Sequence, residues 1–304
     1  MSDNNIVEKI EQLKKKKNAV VLAHYYVPDE VQQIADYVGD SYYLAKVATE
    51  LKEEIIVFAG VLFMGESAKL LNPDKKVLMP DIYADCPMAH MADVDKIKEV
   101  RSQYDDLAVV CYINSTAKVK RHADVCVTSS NAMKIVRALP NRNIYFIPDE
   151  NLGRYIAGQV PDKNFIFNDG FCHVHKSITK DNLVKAMEAK PEAKVLVHPE
   201  CTVDVIEMAD YVGSTSGIIE YATTSDAHEF IICTEMGVFF ELQQKNPTKK
   251  FYSVGHRQFC PNMKKITLPK VLEVLENENN EVLLESIMMK EANKPLEKML
   301  ELAK

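Results

Sequence analysis

Tryptophan is absent from the 304 residues, and that alone decides nothing. The other absences exclude more. No apolar stretch approaches the roughly 20 residues of a membrane-spanning helix, so no membrane association is expected. The N-terminus is polar and acidic, without the apolar core of a signal peptide, which predicts a cytoplasmic protein. Positive charge is scattered and the formal net charge is −7, so there is no basic face for nucleic acid. The one basic run, Lys14 to Lys17, follows Ile6, Ile10 and Leu13 and reads as the solvated end of an amphipathic helix. No two cysteines show the C-x2-C spacing of structural zinc.

What is present suffices for a large core, since 47% of the chain is hydrophobic, and the length by itself would suggest about two domains. Internal repetition overrides that prior. The segments beginning AVVLAHYY at Ala19, DLAVVCYIN at Asp106 and KVLVHPEC at Lys194 each run apolar strand, polar loop, helix, then Ala-Asp. His24, Tyr112 and His198 each lie 12 residues before an aspartate (Asp36, Asp124, Asp210), and a hydroxyl follows five residues later at Ser41, Ser129 and Thr215. A second strand then leads to Gly65, Gly153 and Gly237, where a tight turn or close backbone approach is expected. A third short strand ends at Cys86, Cys172 and Cys260, and the repeat length is 86 to 88 residues.

Short apolar strands alternate with helix-period segments throughout, the pattern of parallel sheets with helices on both faces. The expected fold is α/β: three homologous three-layer αβα units with short parallel sheets, arranged with pseudo-threefold symmetry around a central cavity. The units are expected at residues 1–90, 91–176 and 177–264, each with a leading amphipathic helix (5–17, 93–104, 179–190). The tail, 265–304, is expected to pack on the first unit, with one helix near Leu268 to Glu276 and another over Val282 to Ala303 that breaks at Pro295.

Open parallel sheets bind ligands outside the carboxyl ends of their strands, so the loops at His24, Tyr112 and His198 and the three repeated cysteines should open on one cavity. Seven cysteines in a chain without an export signal point to packing, catalysis or metal rather than disulfides. Three thiolates converging without local spacing fit one [4Fe-4S] cluster better than zinc. Cys86, Cys172 and Cys260 would hold three irons and leave the fourth open as a Lewis acid. The competing reading is buried core cysteine; it is favoured for Cys111, Cys126 and Cys233, and for Cys201 with the reservation that it borders the His198 loop.

Residues two apart in an extended segment share a face, so the three loops should present His24 with Tyr26, Tyr112 with Asn114, and His198 with Glu200. Only Glu200 brings a carboxylate, which makes it the natural general base. Ser41, Ser129 and Thr215 have two open roles, helix N-cap and seat for a carboxylate or phosphate.

The motifs AHYY, GDS, CYIN, HPEC, GST and FCPNMK, with cysteines at 86, 172 and 260, resemble those of the quinolinate synthase family over almost the whole chain. That resemblance implies a condensation of iminoaspartate (iminosuccinate) with dihydroxyacetone phosphate to quinolinate, the pyridine precursor of NAD, with release of phosphate and water. It implies an oxygen-sensitive [4Fe-4S] cluster on Cys86, Cys172 and Cys260. Glu200, Tyr26 and Tyr112 would serve the acid–base and condensation steps, and His24, Ser41, Tyr112, Asn114, Ser129, His198, Glu200 and Thr215 would bind substrate. Transient contact with an aspartate oxidase is a further implication. Some members carry a further cysteine three residues after the third ligand; here Met263 stands there, so no disulfide switch is expected. No repeated position carries an arginine, which leaves hydroxyls, histidines, helix ends and iron to hold an acidic substrate. Two other readings compete: an iron-sulfur hydro-lyase acting on a small hydroxy acid, and a non-enzymatic iron-sulfur sensor or small-molecule binding protein, for which neither a basic patch nor a DNA-binding element is visible.

Overall fold

The computed structural model describes residues 3–255 and 257–304. The first third of the chain contains α1 (Asp3–Lys17), β1 (Ala19–His24), α2 (Asp29–Ile34), β2 (Tyr37–Gly39), α3 (Ser41–Glu50), β3 (Ile55–Ala59), α4 (Leu62–Leu71) and β4 (Lys76–Leu78). The second contains α5 (Val94–Gln103), β5 (Leu107–Tyr112), α6 (Ala117–Lys120), β6 (Val125–Val127), α7 (Ala132–Ala138), β7 (Asn143–Ile147), α8 (Glu150–Gln159) and β8 (Asn164–Phe167). The third contains α9 (His173–Lys176), α10 (Lys180–Ala189), β9 (Lys194–Val197), α11 (Val203–Ile206), β10 (Tyr211–Val212), α12 (Thr215–Thr224), β11 (Glu229–Cys233), α13 (Val238–Lys245) and β12 (Lys250–Ser253). Helices α14 (Leu268–Asn277) and α15 (Ser286–Leu302) close the chain.

Each third builds one parallel four-stranded sheet, and the order is the same in all three: β2-β1-β3-β4, β6-β5-β7-β8 and β10-β9-β11-β12. Strands β1 and β5 are buried along their whole length, which is why they read as unbroken apolar runs rather than alternating ones. In this order the chain changes direction across the sheet between its first and third strands. The crevice at that switch point lies beside the loops that carry His24, Tyr112 and His198.

The recurring Ala-Asp has a physical reason that its spacing did not supply. Asp36 Oδ2 accepts the backbone N–H of Val21 at 2.8 Å, Asp124 Oδ2 that of Val109 at 2.7 Å, and Asp210 Oδ2 that of Val195 at 2.8 Å. Each aspartate's own N–H donates to the carbonyl of the same valine at 2.9 Å. The return to the second strand is thus pinned to the middle of the first by the same pair of bonds three times. A cation completes each pin: Lys14, Arg101 and Lys194 lie 2.8, 2.8 and 2.9 Å from the three carboxylates.

The first two sheets share one continuous apolar core with the tail, and the third sheet has a separate cluster on each face. Tyr25, from the first sheet's cavity loop, is buried in one of the third sheet's clusters and ties the two together. In the tail, α14 lies against α1 and β3, while α15 lies against α4 and also against α6, α7 and β6. The expected break at Pro295 does not occur; α15 runs through it. Ala292, Pro295, Leu296 and Met299 form one buried face, and that packing offsets the single hydrogen bond that proline removes.

Candidate active site

One cavity is lined by residues from all three sheets. His24, Tyr26, Ser41, Cys86, Tyr112, Asn114, Ser129, Cys172, His198, Glu200, Thr215 and Cys260 all reach it, so every site position singled out in the sequence is brought to the same place. The paired loop residues behave as the two-residue period predicts. His24 and Tyr26 face the cavity from the first sheet while Tyr25, between them, turns away into the apolar core.

Glu200 is the centre of the hydrogen-bonded group and is only 3% exposed. Tyr112 donates its hydroxyl to Oε1 at 2.5 Å, and His175 Nδ1 lies 2.7 Å from Oε2, off the line of a straight hydrogen bond. Burial pushes the Glu200 carboxyl up, but the close approach of His175, then His198 and the Tyr112 hydrogen bond, outweighs it and holds the group down at about 2. The ionised form of Glu200 is therefore favoured. Burial lowers the imidazoles of His24 and His198, to about 3. They are neutral and offer one donor and one acceptor each. Burial also raises Tyr26 and Tyr112 well above their ordinary range, so both keep their protons and act as donors.

The three cysteines line the cavity half-buried, whereas Cys111, Cys126, Cys201 and Cys233 are fully buried in the apolar cores. Burial and the neighbouring Cys260 push the Cys86 thiol up to about 12, and burial raises Cys172 and Cys260 in the same direction. Bound positive charge would reverse this, since a coordinating thiol gives up its proton. Among the described residues, the donor atoms that lie within 4.8 Å of one another are those of Cys172, His175 and Glu200, not the three thiols. Three sulfurs around one cavity but too widely spaced for one ion fit a multinuclear group better than a single zinc.

The helix caps differ from expectation, by one residue at α3 and α12 and by two at α7. Asp40, not Ser41, accepts the N–H of Tyr43 at the start of α3 (2.9 Å), and Ser214, not Thr215, accepts that of Gly217 at the start of α12 (3.2 Å). Ser129 stands in a turn, with Asn131 at the head of α7. The cavity hydroxyls are thereby released from capping. Thr215 Oγ1 instead meets the Tyr26 hydroxyl at 2.7 Å, and Thr234 Oγ1 meets it at 2.8 Å. Asn114 Oδ1 is buried without a protein partner, an acceptor facing a space that a ligand donor would fill.

Sequence reasoning missed three groups. His175, three residues after Cys172, sits in the quoted GFCHVH loop; Ala89 and Met263 occupy the matching positions after Cys86 and Cys260, so repetition gave no signal for it. Its ring stacks on His198 at 4.5 Å and its Nε2 lies 2.9 Å from Thr234 Oγ1. Asp149 and Glu235 were also missed, although they stand at one repeated position, two residues beyond β7 and β11. Asp149 Oδ2 accepts the N–H of Cys172 at 3.2 Å and Glu235 Oε1 that of Cys260 at 2.8 Å. The first sheet has Val61 there, and Asp85 performs the same service for Cys86 N–H at 2.8 Å. Each cavity cysteine thus has a carboxylate fixing its backbone.

With this geometry in place, the family model described as quinolinate synthetase A protein matches residues 8–301. The chain belongs to that family. Curated quinolinate synthases are similar over nearly their full length: that of Fusobacterium nucleatum is 54% identical across 97% of this chain and 99% of its own, and that of Caldicellulosiruptor saccharolyticus 52% identical across the whole of both. The Aquifex aeolicus quinolinate synthase is 48% identical across 97% of this chain and 94% of its own. Membership of the quinolinate synthetase A family spans all three sheets, so it concerns the cavity as a whole and not one of its walls. No helix among the described residues is long and apolar enough to cross a membrane.

Proposed function

We propose that this chain is a transferase that joins iminoaspartate to dihydroxyacetone phosphate and forms quinolinate, with loss of phosphate and water. The observation that carries the reading is the single cavity lined by three half-buried thiols, from three equivalent loops, together with a buried carboxylate whose ionised form is favoured. Cys86, Cys172 and Cys260 would hold one [4Fe-4S] cluster. Bound there, the cluster would supply Lewis acidity through the iron that no cysteine ligates.

The chain's own groups then divide the work. Glu200, held ionised by His175, accepts protons as the carbon–nitrogen and carbon–carbon bonds form, and Tyr112 shares the proton along the 2.5 Å contact. Tyr26, kept protonated by burial and oriented by Thr215 and Thr234, donates to a developing oxygen. His24, Ser41, Asn114, Ser129, His198 and Thr215 orient the carboxylates and phosphate. They do so without arginine, so the anionic ligand is met by hydroxyls, neutral imidazoles and an amide. We read the chain as three units, 1–90, 91–176 and 177–264, in the cytoplasm, with iminoaspartate supplied by an aspartate oxidase in transient contact.

The test is anaerobic reconstitution with iron and sulfide, followed by incubation with both substrates. Quinolinate is expected only when both are present. Dehydration of a single hydroxy acid with no quinolinate would replace this reading with a hydro-lyase.

A further inference from the structure

Lys264 belongs to the FCPNMK motif but has no place in the chemistry above. It lies four residues after Cys260, and its N–H donates to the Cys260 carbonyl at 3.1 Å. Its ammonium bridges the third sheet and the first sheet's cavity loop. Nζ donates to the backbone carbonyl of Tyr26 at 2.7 Å and lies 3.3 Å from Glu235 Oε1, the same oxygen that accepts the N–H of Cys260.

Gly237 and Gln32 brace the Tyr26 turn as well. Glu235 Oε2 accepts the N–H of Gly237 at 2.5 Å. Gly237 is pressed so closely on the turn that a Cβ there would stand 2.6 Å from the Tyr25 carbonyl oxygen and 2.7 Å from Tyr26 Cα. Gln32, 2% exposed, donates to the carbonyls of Tyr25 (2.9 Å), Val27 (2.9 Å) and Gly237 (3.1 Å). The buried carboxylate of Glu235 is therefore a junction. One oxygen fixes Cys260, the other fixes the start of α13, and Lys264 carries the connection across to the first sheet's cavity loop.

We propose that Lys264 is a positioning residue for Tyr26, with Glu235 and Gly237 as its anchorage: the strut sets the height of the Tyr26 turn over the cavity from the loop that bears Cys260. It acts through backbone, so the Tyr26 hydroxyl reaches Thr215 and Thr234 only while the strut holds the turn in place. This rests on the function proposed above only for its kinetic consequence. The structural part stands without it.

The experiment compares Lys264→Met and Lys264→Gln with the wild-type holoenzyme, using Lys265→Met, whose ammonium bonds Tyr83 O instead, as the neighbouring control. Expected results for both Lys264 variants are unchanged iron and sulfide content and roughly tenfold faster amide exchange at Tyr26 and Val27. Quinolinate turnover should fall about tenfold, and Lys264→Arg should restore most of both. Combined with Tyr26→Phe, the Lys264 change should cost nothing further, because both substitutions disable the same hydroxyl. Losses that multiply in the double variant, unchanged exchange at Tyr26, or loss of the cluster on changing Lys264 would each overturn the proposal. If wild type makes no quinolinate, the exchange result still decides the strut while the proposed reaction fails on its own.

Discussion

At Asp36, Asp124 and Asp210 the three sheets carry the same residue making the same two backbone bonds, while twelve residues earlier they carry His24, Tyr112 and His198 with unlike companions, Tyr26, Asn114 and Glu200. The first region answers to geometry that every copy shares. The second answers to a ligand with three different sides. Where a position serves the backbone, repetition is kept; where it serves the cavity, the copies have separated. His175 shows the same asymmetry, with alanine and methionine at its counterparts.

That contrast is tested first at the cavity position where the copies carry the identical residue. Cys86→Ser, Cys172→Ser and Cys260→Ser are each expected to remove nearly all iron, sulfide and cluster absorbance. Serine at Cys111, Cys126 or Cys233 should leave loading near wild type, with at most the stability loss of a core substitution. A fully loaded Cys172→Ser protein would dissolve the equivalence of the three.

Next in size is the position where the copies differ most. Glu200→Gln preserves shape and can still accept from Tyr112, but removes the carboxylate, so turnover should fall about 10² to 10⁴-fold, about 3 to 5 kcal/mol, with the cluster retained. Steady-state kinetics on protein of measured iron content decides it, and more than about a tenth of wild-type turnover would move the base elsewhere.

The shared aspartates should behave in the opposite manner. Asp124→Ala removes a charged acceptor from the Val109 N–H and takes away the carboxylate partner of Arg101, which keeps only the His122 carbonyl. It should cost about 1.5–3 kcal/mol in urea unfolding with little change in turnover per folded molecule. A kinetic defect at full stability would erase the distinction between the two regions.

The smallest effect lies outside the cavity lining. Glu278 caps the gap between α1 and β4 through Lys17 and Lys76, and those two bonds hold its carboxyl down from 4.5 to about 2. A carboxyl lowered in the folded state stabilises it above pH 4.5, and that contribution fades as pH falls from there toward 2. Glu278→Gln should therefore lower the melting temperature slightly at pH 7 and progressively less as pH falls toward 2, with the pH 7 difference reduced by salt.

The sequence made the sheets, the repeat register and the cavity residues legible because those features depend on spacing, and spacing survives divergence. Cys86, Cys172 and Cys260 stood out for the same reason. What stayed hidden depends on through-space partners. Asp149 and Glu235 share a position but differ in length, and Asp85 does their work from another, so no motif marks the three. The caps at Asp40 and Ser214 were missed because two adjacent polar residues are equally good cap candidates in sequence, and only backbone angles choose between them. Pro295 misled because proline's cost is local while the burial of α15's apolar face is not.

The continuity of the chain through all three sheets carries one more consequence. Three separate copies of a single unit, assembled as a ring, would be bound to offer the same pair of residues from every side. Joined in one polypeptide, each third is free to mutate alone, so a negative charge can be supplied once and a phenol can stand opposite it. Covalent linkage is thus what permits asymmetry inside a symmetric frame, and a ligand with no symmetry of its own can be gripped by an architecture that has it.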